Sequence, residues 1–369
     1  MRVLHLVSCR GWSSDAYWAA RVARELERRG HEVVLVCRRR RADVVLDRAR
    51  AEGIGRLETL ELSGGVAPAA DLADVRQLVT RLRETDVVHV HRGKEHWLAA
   101  VANRLAATPR PLVRTRHIAQ AVRPHAGNRW LYRHATSMVV TVTAAIRGQY
   151  AASGLLPPER IVTLSGGVDA ETYRPRPASS EVRTRLGAGA GDLLVGVVGG
   201  LRVMKGHSIV IRAMARLNGR RPRLAFVGRG NSESAIRDAL AHSGLEDRTT
   251  FDGFATDLPA VMASLDLALY VPLESDGMSR VLFEYMAAGR AVVASRVGVV
   301  PEILTDGEHA TLVPAGDAAA LAETLDGVLA DSARRARLGA AARGLVETRY
   351  SGARVAEALE AIYARLAAA

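Results

Sequence analysis

A loop and the helix that follows it carry two carboxylates at a spacing that suits a ligand rich in hydroxyl groups. In ESDGMSRVLFEYMAAG, residues 274–289, Asp276 precedes an apolar helix pattern and Glu284 follows it by eight residues, about two helical turns. Carboxylates only accept hydrogen bonds, so the pair suits the hydroxyls of a sugar at one end and of a ribose at the other. The backbone N–H groups at the helix start, which favour an anion, belong to Gly277, Met278 and Ser279. The ordinary alternatives are an N-cap for Asp276 and a solvated helix position for Glu284.

A second stretch combines paired glycines with two cations ahead of a helix. In VGGLRVMKGHSIVIRAMARL, residues 198–217, Gly199 and Gly200 leave a strand, and Arg202 and Lys205 follow. The glycines allow the backbone to approach a ligand closely, and cations beside the free N–H groups of a helix start suit a diphosphate. The order excludes a P-loop, because no Gly-Lys-Ser/Thr follows, and the G-x-G-x-x-G fingerprint of dinucleotide binders is missing. A surface turn with two solvated cations is the alternative.

Histidines near strand ends form a third candidate group. His117 ends PLVRTRH, residues 111–117, which has the pattern of a strand, and ligands of parallel sheets bind beyond the carboxyl ends of strands. His89 and His91 alternate with valines in DVVHVH, residues 86–91. This alternation is typical of a core strand, so we assign these two histidines no functional role.

Alternating apolar runs and amphipathic helix patterns must position these residues. The first series of strands is predicted at residues 2–8, 31–38, 86–91, 111–117, 138–143 and 160–167, with a helix at 16–30. The second series is predicted at residues 192–201, 222–230, 249–254, 265–272, 290–295 and 310–316. Runs of valine and isoleucine without polar alternation indicate strands covered on both faces, as in parallel sheets. We therefore predict two doubly wound α/β domains that face each other across a cleft, joined by a linker at 167–177.

Length and composition agree with two domains. The chain has 369 residues and a mass of 39.6 kDa, more than one hydrophobic core usually organises. No apolar run approaches the ~20 residues that span a bilayer, and the amino-terminal residues lack the pattern of a signal peptide. We expect a soluble cytoplasmic protein in which Cys9 and Cys37, at the ends of predicted strands, are buried and reduced.

The positive charge of the chain is concentrated in its first half. The net charge is +12, and residues 1–168 hold 27 basic against 15 acidic side chains, whereas residues 169–369 hold 24 of each. Residues 96–158 contain no acidic residue at all. This block favours an anionic partner, which is an anionic acceptor, a phospholipid surface or nucleic acid. An arginine-rich solvated surface without a partner is the alternative.

Several kinds of chemistry lack their signatures. No Asp-x-Asp pair at a predicted strand end and no Cys/His cluster with ligand spacing is present, so we expect no metal and no other cofactor. The G-x-S-x-G pattern of serine hydrolases is also missing.

Taken together, the motifs resemble the family-4 retaining glycosyltransferases of the GT-B fold. The matching stretches are ARELERRGHEVVLV, GVDAETYRP, VGGLRVMKG, FVGRG, DGMSRVLFEYMAAGRAVVAS and GVVPEIL, which follow the order and spacing of the family along nearly the whole chain. The resemblance implies two Rossmann-like domains facing across a cleft: an acceptor-binding domain at residues 1–170 and a nucleotide-sugar-binding domain at 171–349. It also implies that the last helix, within residues 350–369, crosses back to the first domain.

The resemblance assigns roles to individual residues. It implies that Arg202 and Lys205 bind the donor diphosphate, that Glu284 binds the ribose, and that His117 lies near the reacting centre. Asp276 stands where the family usually has the first Glu of its Glu-x7-Glu motif, so one methylene is missing from the residue expected to contact the donor sugar. The catalytic set is His117, Arg202, Lys205 and Asp276. The donor-binding set adds Gly11, Trp12, Gly199, Gly200, Gly228, Phe254, Gly277, Met278, Ser279 and Glu284.

The family resemblance also implies a mechanism and partners. The departing phosphate oxygen assists deprotonation of the acceptor hydroxyl on the same face of the sugar, without a metal. The acceptor is a glycan, a lipid-linked molecule or a phosphorylated molecule of cell-surface glycan or lipopolysaccharide synthesis. The segment VRPHAGNRWLYRH, residues 122–134, mixes arginine with aromatic residues as interfacial segments do. Residues expected at the acceptor or at the inner face of the plasma membrane are Arg116, Arg123, Arg129 and Trp130.

Two other classes of function compete with this interpretation. A non-catalytic protein that binds polyanions or nucleic acid would explain the acid-free block, but no known nucleic-acid module is present. A nicotinamide-dependent oxidoreductase is disfavoured by the missing glycine fingerprint. We therefore expect no nucleic-acid partner.

Overall fold

The computed structural model describes residues 1–40, 42–217, 219, 221–253, 255–275 and 277–368, without the side chains of residues 42 and 43. The chain divides into two compact units, Met1–Gly167 with Gly352–Ala369, and Val168–Ser351.

The first unit is built from alternating strands and helices. Its strands are β1 (Arg2–Val7), β2 (Glu32–Arg38), β3 (Leu57–Leu60), β4 (Val87–Val90), β5 (Leu112–Arg116), β6 (Met138–Thr141) and β7 (Ile161–Thr163). Its helices before the second unit are α1 (Ser14–Arg28), α2 (Ala42–Ala51), α3 (Pro68–Leu82), α4 (Gly93–Leu105), α5 (Ala126–Trp130) and α6 (Ala144–Ser153). All strands pair in parallel in the order β3-β2-β1-β4-β5-β6-β7.

The second unit repeats this plan. Its strands are β8 (Leu194–Val198), β9 (Arg223–Val227), β10 (Thr249–Asp252), β11 (Leu267–Tyr270), β12 (Val292–Ser295) and β13 (Thr311–Val313). Its helices are α7 (Ser180–Arg185), α8 (His207–Met214), α9 (Glu233–Ser243), α10 (Leu258–Ser264), α11 (Arg280–Ala287), α12 (Val300–Ile303), α13 (Ala318–Ala330) and α14 (Ser332–Leu345). The parallel strand order is β10-β9-β8-β11-β12-β13.

Both sheets are doubly wound, as the sequence predicts. In each unit the order runs outward from a central pair, β1 with β4 and β8 with β11, where the direction of winding reverses. Ligands of such sheets bind beyond the carboxyl ends of the strands at this switch point. The strands at this point are buried along most of their length, and every residue of β4 and of β11 is buried.

The last helix, α15 (Gly352–Ala367), belongs to the first unit, which confirms the predicted return of the chain. It packs against α1, and at the crossing a Cβ on Gly352 would lie 3.2 Å from the Glu25 side chain. Arg29 Nε donates to Glu360 Oε2 at 2.6 Å, and the hydroxyl of Tyr363 contacts Nδ1 of His89. These contacts fix the helix over the face of the sheet that carries His89.

Three further expectations can be compared with the fold. The predicted strands are present, but β3 was missed because LETL is a short edge strand without a continuous apolar run. Cys9 and Cys37 are buried and not bonded to each other, and burial raises the pKa of each thiol to about 12. Among the described helices, none is both long and apolar enough to cross a bilayer.

Candidate active site

The diphosphate-binding stretch lies beyond the carboxyl end of β8, at the switch point of the second sheet. Gly199 has a φ of +147°, a value that side chains rarely tolerate, and the chain then stays paired with β9 through a bond from Leu201 N to Arg229 O of 3.1 Å. A single 3-10 turn, Val203–Lys205, follows and ends at Gly206 before α8. Lys205 is therefore presented directly ahead of a helix, as its spacing predicts.

This turn packs directly on the segment that leads to the helix with Glu284. Leu273 N donates to Met204 O at 2.8 Å, and a Cβ on Gly206 would lie 2.0 Å from Val271 O. Gly206 also has a φ of +76°, so both backbone conformation and space require glycine there. Gly199 and Lys205 line one small cavity together with Val281, in the first turn of α11. The structure thus brings Gly199, Lys205 and the start of α11 to one place.

Arg202 and Gly228, which follow β8 and β9, occupy different environments. Arg202 is exposed, and its Nε lies 3.4 Å from the position that a Cβ on Gly200 would take. Gly228 has a φ of +145°, and a Cβ there would lie 2.0 Å from Gly199 O. Gly228 therefore has a packing reason to be glycine, because it lets the ends of β8 and β9 pass closely. A contact between Gly228 and the donor stays a prediction.

Helix α11 begins at Arg280, so Glu284 lies in its second turn. Gly277 has a φ of +68°, and Met278 and Ser279 are buried immediately before the helix. Asp276 and Phe254 lie outside the described residues.

Glu284 is buried, so the alternative of a solvated helix residue is wrong. Its side chain is 1% exposed, and Arg280 Nε lies 2.8 Å from its Oε1, one turn earlier. A buried carboxylate is costly unless it is paired and hydrogen-bonded, and Arg280 supplies a charge partner. Sequence reasoning missed Arg280, although the i,i+4 spacing of Arg and Glu was visible. The neighbouring Tyr285 was missed as well, because its contact with β8 is not local in sequence.

The candidates in the first unit follow strands at the switch point of its own sheet. Gly11 and Trp12 lie in the loop after β1, where Ser13 N donates to Gly11 O at 2.9 Å and the Trp12 ring meets the edge of Tyr17. The first turn of α1, which follows that loop, is joined to the loop after β4 by a bond of 2.6 Å from Arg92 Nε to Asp15 Oδ2. The segments that follow two neighbouring strands are therefore joined by a hydrogen bond at this edge of the sheet.

His117 follows β5 at the same edge of the sheet. Its Nε2 lies 3.2 Å from Nδ1 of His91, and the indole of Trp18 packs edge-on at 5.4 Å. His117 is half-buried, and loss of solvation lowers its pKa to about 3, although the nearby carboxylate of Asp15 acts in the opposite direction. His117 is therefore a neutral imidazole in the folded chain near pH 7.

His5, His89 and His91 form a buried cluster next to His117. Each offers a ring nitrogen within 4.8 Å of the others, and burial lowers the pKa of all three. The interpretation of His89 and His91 as core residues agrees with their burial. Their link to His117 was not foreseen, because strand register alone determines it.

The basic segment of the first unit forms an exposed surface with aromatic residues. Arg123 and Arg129 are exposed, and Trp130 stacks on Trp97 of α4 with ring centroids 5.9 Å apart. Arg116 is half-buried and donates to Gln120 O at 2.7 Å. Helix α4 also exposes a stripe of apolar side chains at one-turn spacing, which consists of Trp97, Val101 and Leu105.

The fold is that of known glycosyltransferases. A glycosyltransferase from Rickettsia africae aligns with a TM-score of 0.87 at 17% identity, over 99% of this chain and 98% of that chain. HepE from Anabaena, solved in complex with UDP, aligns with a TM-score of 0.85 at 22% identity, over 99% of this chain and 100% of that chain. With the two strand orders described above, these matches define the GT-B class, which has two Rossmann-like domains.

Sequence comparisons identify relatives among curated proteins. The D-inositol 3-phosphate glycosyltransferase of Frankia alni is 32% identical over 295 residues, which covers 70% of this chain and 69% of that protein. The enzyme of that name from Mycobacterium marinum is 32% identical over 271 residues, covering 67% and 56%. The GDP-mannose-dependent alpha-(1-6)-phosphatidylinositol monomannoside mannosyltransferase of Mycolicibacterium smegmatis is 32% identical over 236 residues, covering 60% and 62%. The match with the M. marinum protein thus spans little more than half of that relative's length.

Two family models together account for most of the chain. Residues 16–172 match Glycosyltransferase Family 4, and residues 192–331 match Glycosyl transferases group 1. This chain belongs to the group 1 glycosyl transferases of glycosyltransferase family 4.

Proposed function

We propose that this chain is a retaining, metal-independent glycosyltransferase that moves a sugar from a nucleoside diphosphate to a hydroxyl group of an acceptor. The observation that carries the proposal is the packing of the Lys205 turn on the segment before α11, with Gly199, Lys205 and Val281 around one cavity. That place lies at the switch point of the second sheet, where doubly wound sheets bind their ligands.

The chemistry explains why a cationic turn is needed there. Cleavage of the anomeric C–O bond leaves an oxocarbenium-like sugar and a diphosphate that carries additional negative charge. Fixed positive groups and N–H dipoles at the leaving group stabilise that charge in the transition state. Arg202, Lys205 and the backbone from Gly277 to Ser279 supply such groups in the proposal. Asp276, from its position in the sequence, contacts the donor sugar.

The route that we propose keeps the configuration of the sugar. The departing phosphate oxygen accepts the proton of the acceptor hydroxyl while that hydroxyl bonds to the anomeric carbon on the same face. No metal or other cofactor takes part in this proposal, because the cationic side chains neutralise the diphosphate. Family membership and the cationic turn support the route.

Glu284 binds the ribose hydroxyls in this scheme, and Arg280 orients its carboxylate. The salt bridge holds a buried carboxylate in one rotamer, which is the preorganisation that a hydroxyl-binding site requires. We assign no base to the nucleotide, because one relative is named for GDP-mannose and HepE was solved with UDP.

For the acceptor we propose a phosphorylated or lipid-linked molecule of cell-surface glycan synthesis. The relatives named above act on an inositol phosphate or a phosphatidylinositol mannoside according to their names. The basic first half of this chain suits such an anion. We place the protein in the cytoplasm with the stacked Trp97 and Trp130 and the exposed Arg129 on the inner face of the plasma membrane.

A ligand panel tests the proposed function. The melting temperature of the full chain is measured with UDP, GDP, ADP, NAD and an oligonucleotide, because a ligand that binds only the folded state raises its stability. We expect one nucleoside diphosphate to raise it most and the matching nucleotide sugars to be slowly hydrolysed. A shift with the oligonucleotide alone would favour a polyanion-binding protein, and a shift with NAD alone would favour an oxidoreductase.

A further inference from the structure

Four histidines of the first unit lie side by side at the carboxyl edge of its central strands. His5 on β1 pairs in register with His89 on β4, His91 follows β4, and His117 follows β5. The rings of His89 and His91 stack at 4.6 Å with an angle of 18°, and those of His91 and His117 stack at 5.5 Å with an angle of 28°. Trp18 covers His89, His91 and His117 with its indole.

Three of these histidines form one chain of hydrogen bonds. His5 Nδ1 lies 3.2 Å from His91 Nε2, and His91 Nδ1 lies 3.2 Å from His117 Nε2. His91 therefore uses both ring nitrogens, one toward each neighbour. A neutral imidazole has one N–H and one lone pair, so the two bonds must run in the same direction along the chain.

His89 does not take part in the hydrogen bonds between His5, His91 and His117, and its ring nitrogens are not free to bind a metal. Its Nε2 lies 2.6 Å from the hydroxyl of Thr115, and its Nδ1 contacts the hydroxyl of Tyr363. Both nitrogens are engaged, so the three clustered histidines are better explained by hydrogen bonding than by metal binding.

The end of this row of hydrogen bonds that lies at His5 indicates the direction in which the protons are donated. His5 Nε2 is buried, and within the described residues it has no hydrogen-bond partner. Because a buried N–H without a partner is rare in proteins, we assign the lone pair to His5 Nε2 and the proton to His5 Nδ1. His5 Nδ1 then donates to His91 Nε2, and His91 Nδ1 donates to His117 Nε2. With this direction of donation, the proton of a neutral His117 lies on Nδ1.

We infer that His91 is a positioning residue that fixes His117 in the Nδ1–H tautomer, so that His117 offers an N–H donor to a substrate oxygen. The relevance to catalysis rests on the proposed function, in which His117 lies near the reacting centre. The substrate group recognised is a hydrogen-bond acceptor, such as a sugar hydroxyl oxygen or a phosphate oxygen. The low pKa that burial gives His91 and His117 agrees with a chain of neutral rings.

The test reads the tautomer directly, without substrate. The full chain is labelled with 15N-histidine, and the resonances of His117 are assigned by their loss in His117→Gln. His91→Asn places an amide N–H near the position of the original Nδ1–H, whereas His91→Asp places only acceptor oxygens there. We expect the Nδ1–H tautomer of His117 in the wild type and in His91→Asn. In His91→Asp, whose carboxylate raises the pKa of His117, we expect the Nε2–H tautomer at a pH high enough to keep His117 neutral. His91→Leu, which buries no charge, should lose the Nδ1–H preference as well.

Activity gives a second readout. We expect kcat to fall on the order of 10²-fold in His91→Asp and to stay close to wild type in His91→Asn, with nucleotide affinity unchanged in both. An Nε2–H tautomer in the wild type, or one tautomer in all variants at position 91, would overturn the inference. Stoichiometric metal in the purified wild type that is lost in His5→Phe would overturn it too. If no nucleotide binds while the tautomer follows position 91, the proposed function fails and the positioning role of His91 stands.

Discussion

The hydroxyl of Tyr285 accepts a hydrogen bond of 2.6 Å from the backbone N–H of Val198. Val198 is the last residue of β8 and precedes Gly199, while Tyr285 follows Glu284 on α11. Tyr285 is fully buried, and burial raises the pKa of its hydroxyl, so the group stays protonated. One side chain therefore joins the loop proposed for the diphosphate to the helix proposed for the ribose.

Removing this hydroxyl should weaken nucleotide binding. In Tyr285→Phe the buried N–H of Val198 loses its partner, which costs about 1–3 kcal/mol if the local structure does not shift. We expect the end of β8 to shift in the variant, which lowers this cost but displaces the loop proposed for the diphosphate. Nucleotide affinity should therefore fall about 5- to 10-fold. Calorimetric titration with the diphosphate from the ligand panel measures this.

Tyr150→Phe is the matched control. It also removes a buried tyrosine hydroxyl, one that lies 3.0 Å from that of Tyr132 in the first unit. We expect it to lower stability without changing nucleotide affinity. Equal affinity in Tyr285→Phe and the wild type would show that the bond between Tyr285 and Val198 does not hold the site together.

Gly206→Ala should disrupt the Lys205 turn. Its φ is +76°, and the new Cβ would lie 2.0 Å from Val271 O, so both the strain of a left-handed conformation and a backbone clash apply. The strain alone costs about 1–2 kcal/mol. The clash adds to it and displaces the turn, so melting temperature and nucleotide affinity should both fall.

Gly244→Ala separates these two causes. Gly244 has a φ of +62°, and none of the described neighbours lies within 4 Å of its Cβ position. This variant should lose only the strain energy, a shift in melting temperature of about 2–4 °C per kcal/mol for a unit of this size, with normal nucleotide affinity. Similar losses in both variants would contradict the close packing of Gly206 on Val271.

The buried histidines should make the protein less stable as the pH falls. Burial lowers the pKa of His5 to about 3, whereas an exposed histidine in the unfolded chain has a pKa near 6.5. Between these values the unfolded state binds a proton that the folded state does not. Each such histidine therefore removes about 1.4 kcal/mol of stability per pH unit below pH 6.5, until the folded state is also protonated.

Melting temperatures of three proteins at pH 7, 6 and 5 measure this effect. His5→Phe should lose less stability over this range than the wild type, because one buried titrating group is gone. Tyr150→Phe, which removes a buried hydroxyl but no histidine, should leave the pH dependence unchanged. The same pH dependence in His5→Phe and the wild type would mean that His5 is not held neutral by the fold.

The exposed aromatic and basic surface of the first unit should bind anionic membranes. Each basic residue near such a surface contributes about 1 kcal/mol, and salt screens the attraction. Arg129→Glu should therefore lower co-sedimentation with anionic vesicles at least about 5-fold, while Arg76→Glu, at an exposed position on α3, should have a smaller effect. Equal binding of the wild type to neutral and anionic vesicles would exclude this docking and leave a dissolved phosphorylated acceptor.

Most of the fold could be predicted from local patterns in the sequence. Unbroken valine runs such as DVVHVH and MVVTVT indicated strands buried on both faces, and their alternation with helix patterns implied parallel doubly wound sheets. The position of His117 followed from the same reasoning, because the carboxyl ends of parallel strands share one edge. Lys205 and Gly199 could be assigned to one site from the sequence because both lie in the short segment between β8 and α8.

Contacts between segments that are distant in the sequence could not be predicted from it. The burial of Glu284 depends on what packs over α11, and its pairing with Arg280 resembles an ordinary surface pair until burial is known. The bond from His91 to His117 depends on the register of β4 against β5. The packing reason for Gly228 exists only because β8 and β9 run side by side. All three cases depend on strand register or tertiary packing, and neither of these leaves a periodic signal in the sequence.

The rate of sugar transfer by Lys205→Ala measures how much the cationic turn contributes to departure of the diphosphate. If Lys205 stabilises the charge that develops on the leaving diphosphate, kcat should fall about 10²–10³-fold, or about 2.7–4 kcal/mol of transition-state stabilisation. Arg212→Ala, which removes an exposed cation from the following helix, should keep the wild-type rate. Wild-type transfer by Lys205→Ala would show that Lys205 does not stabilise the leaving diphosphate.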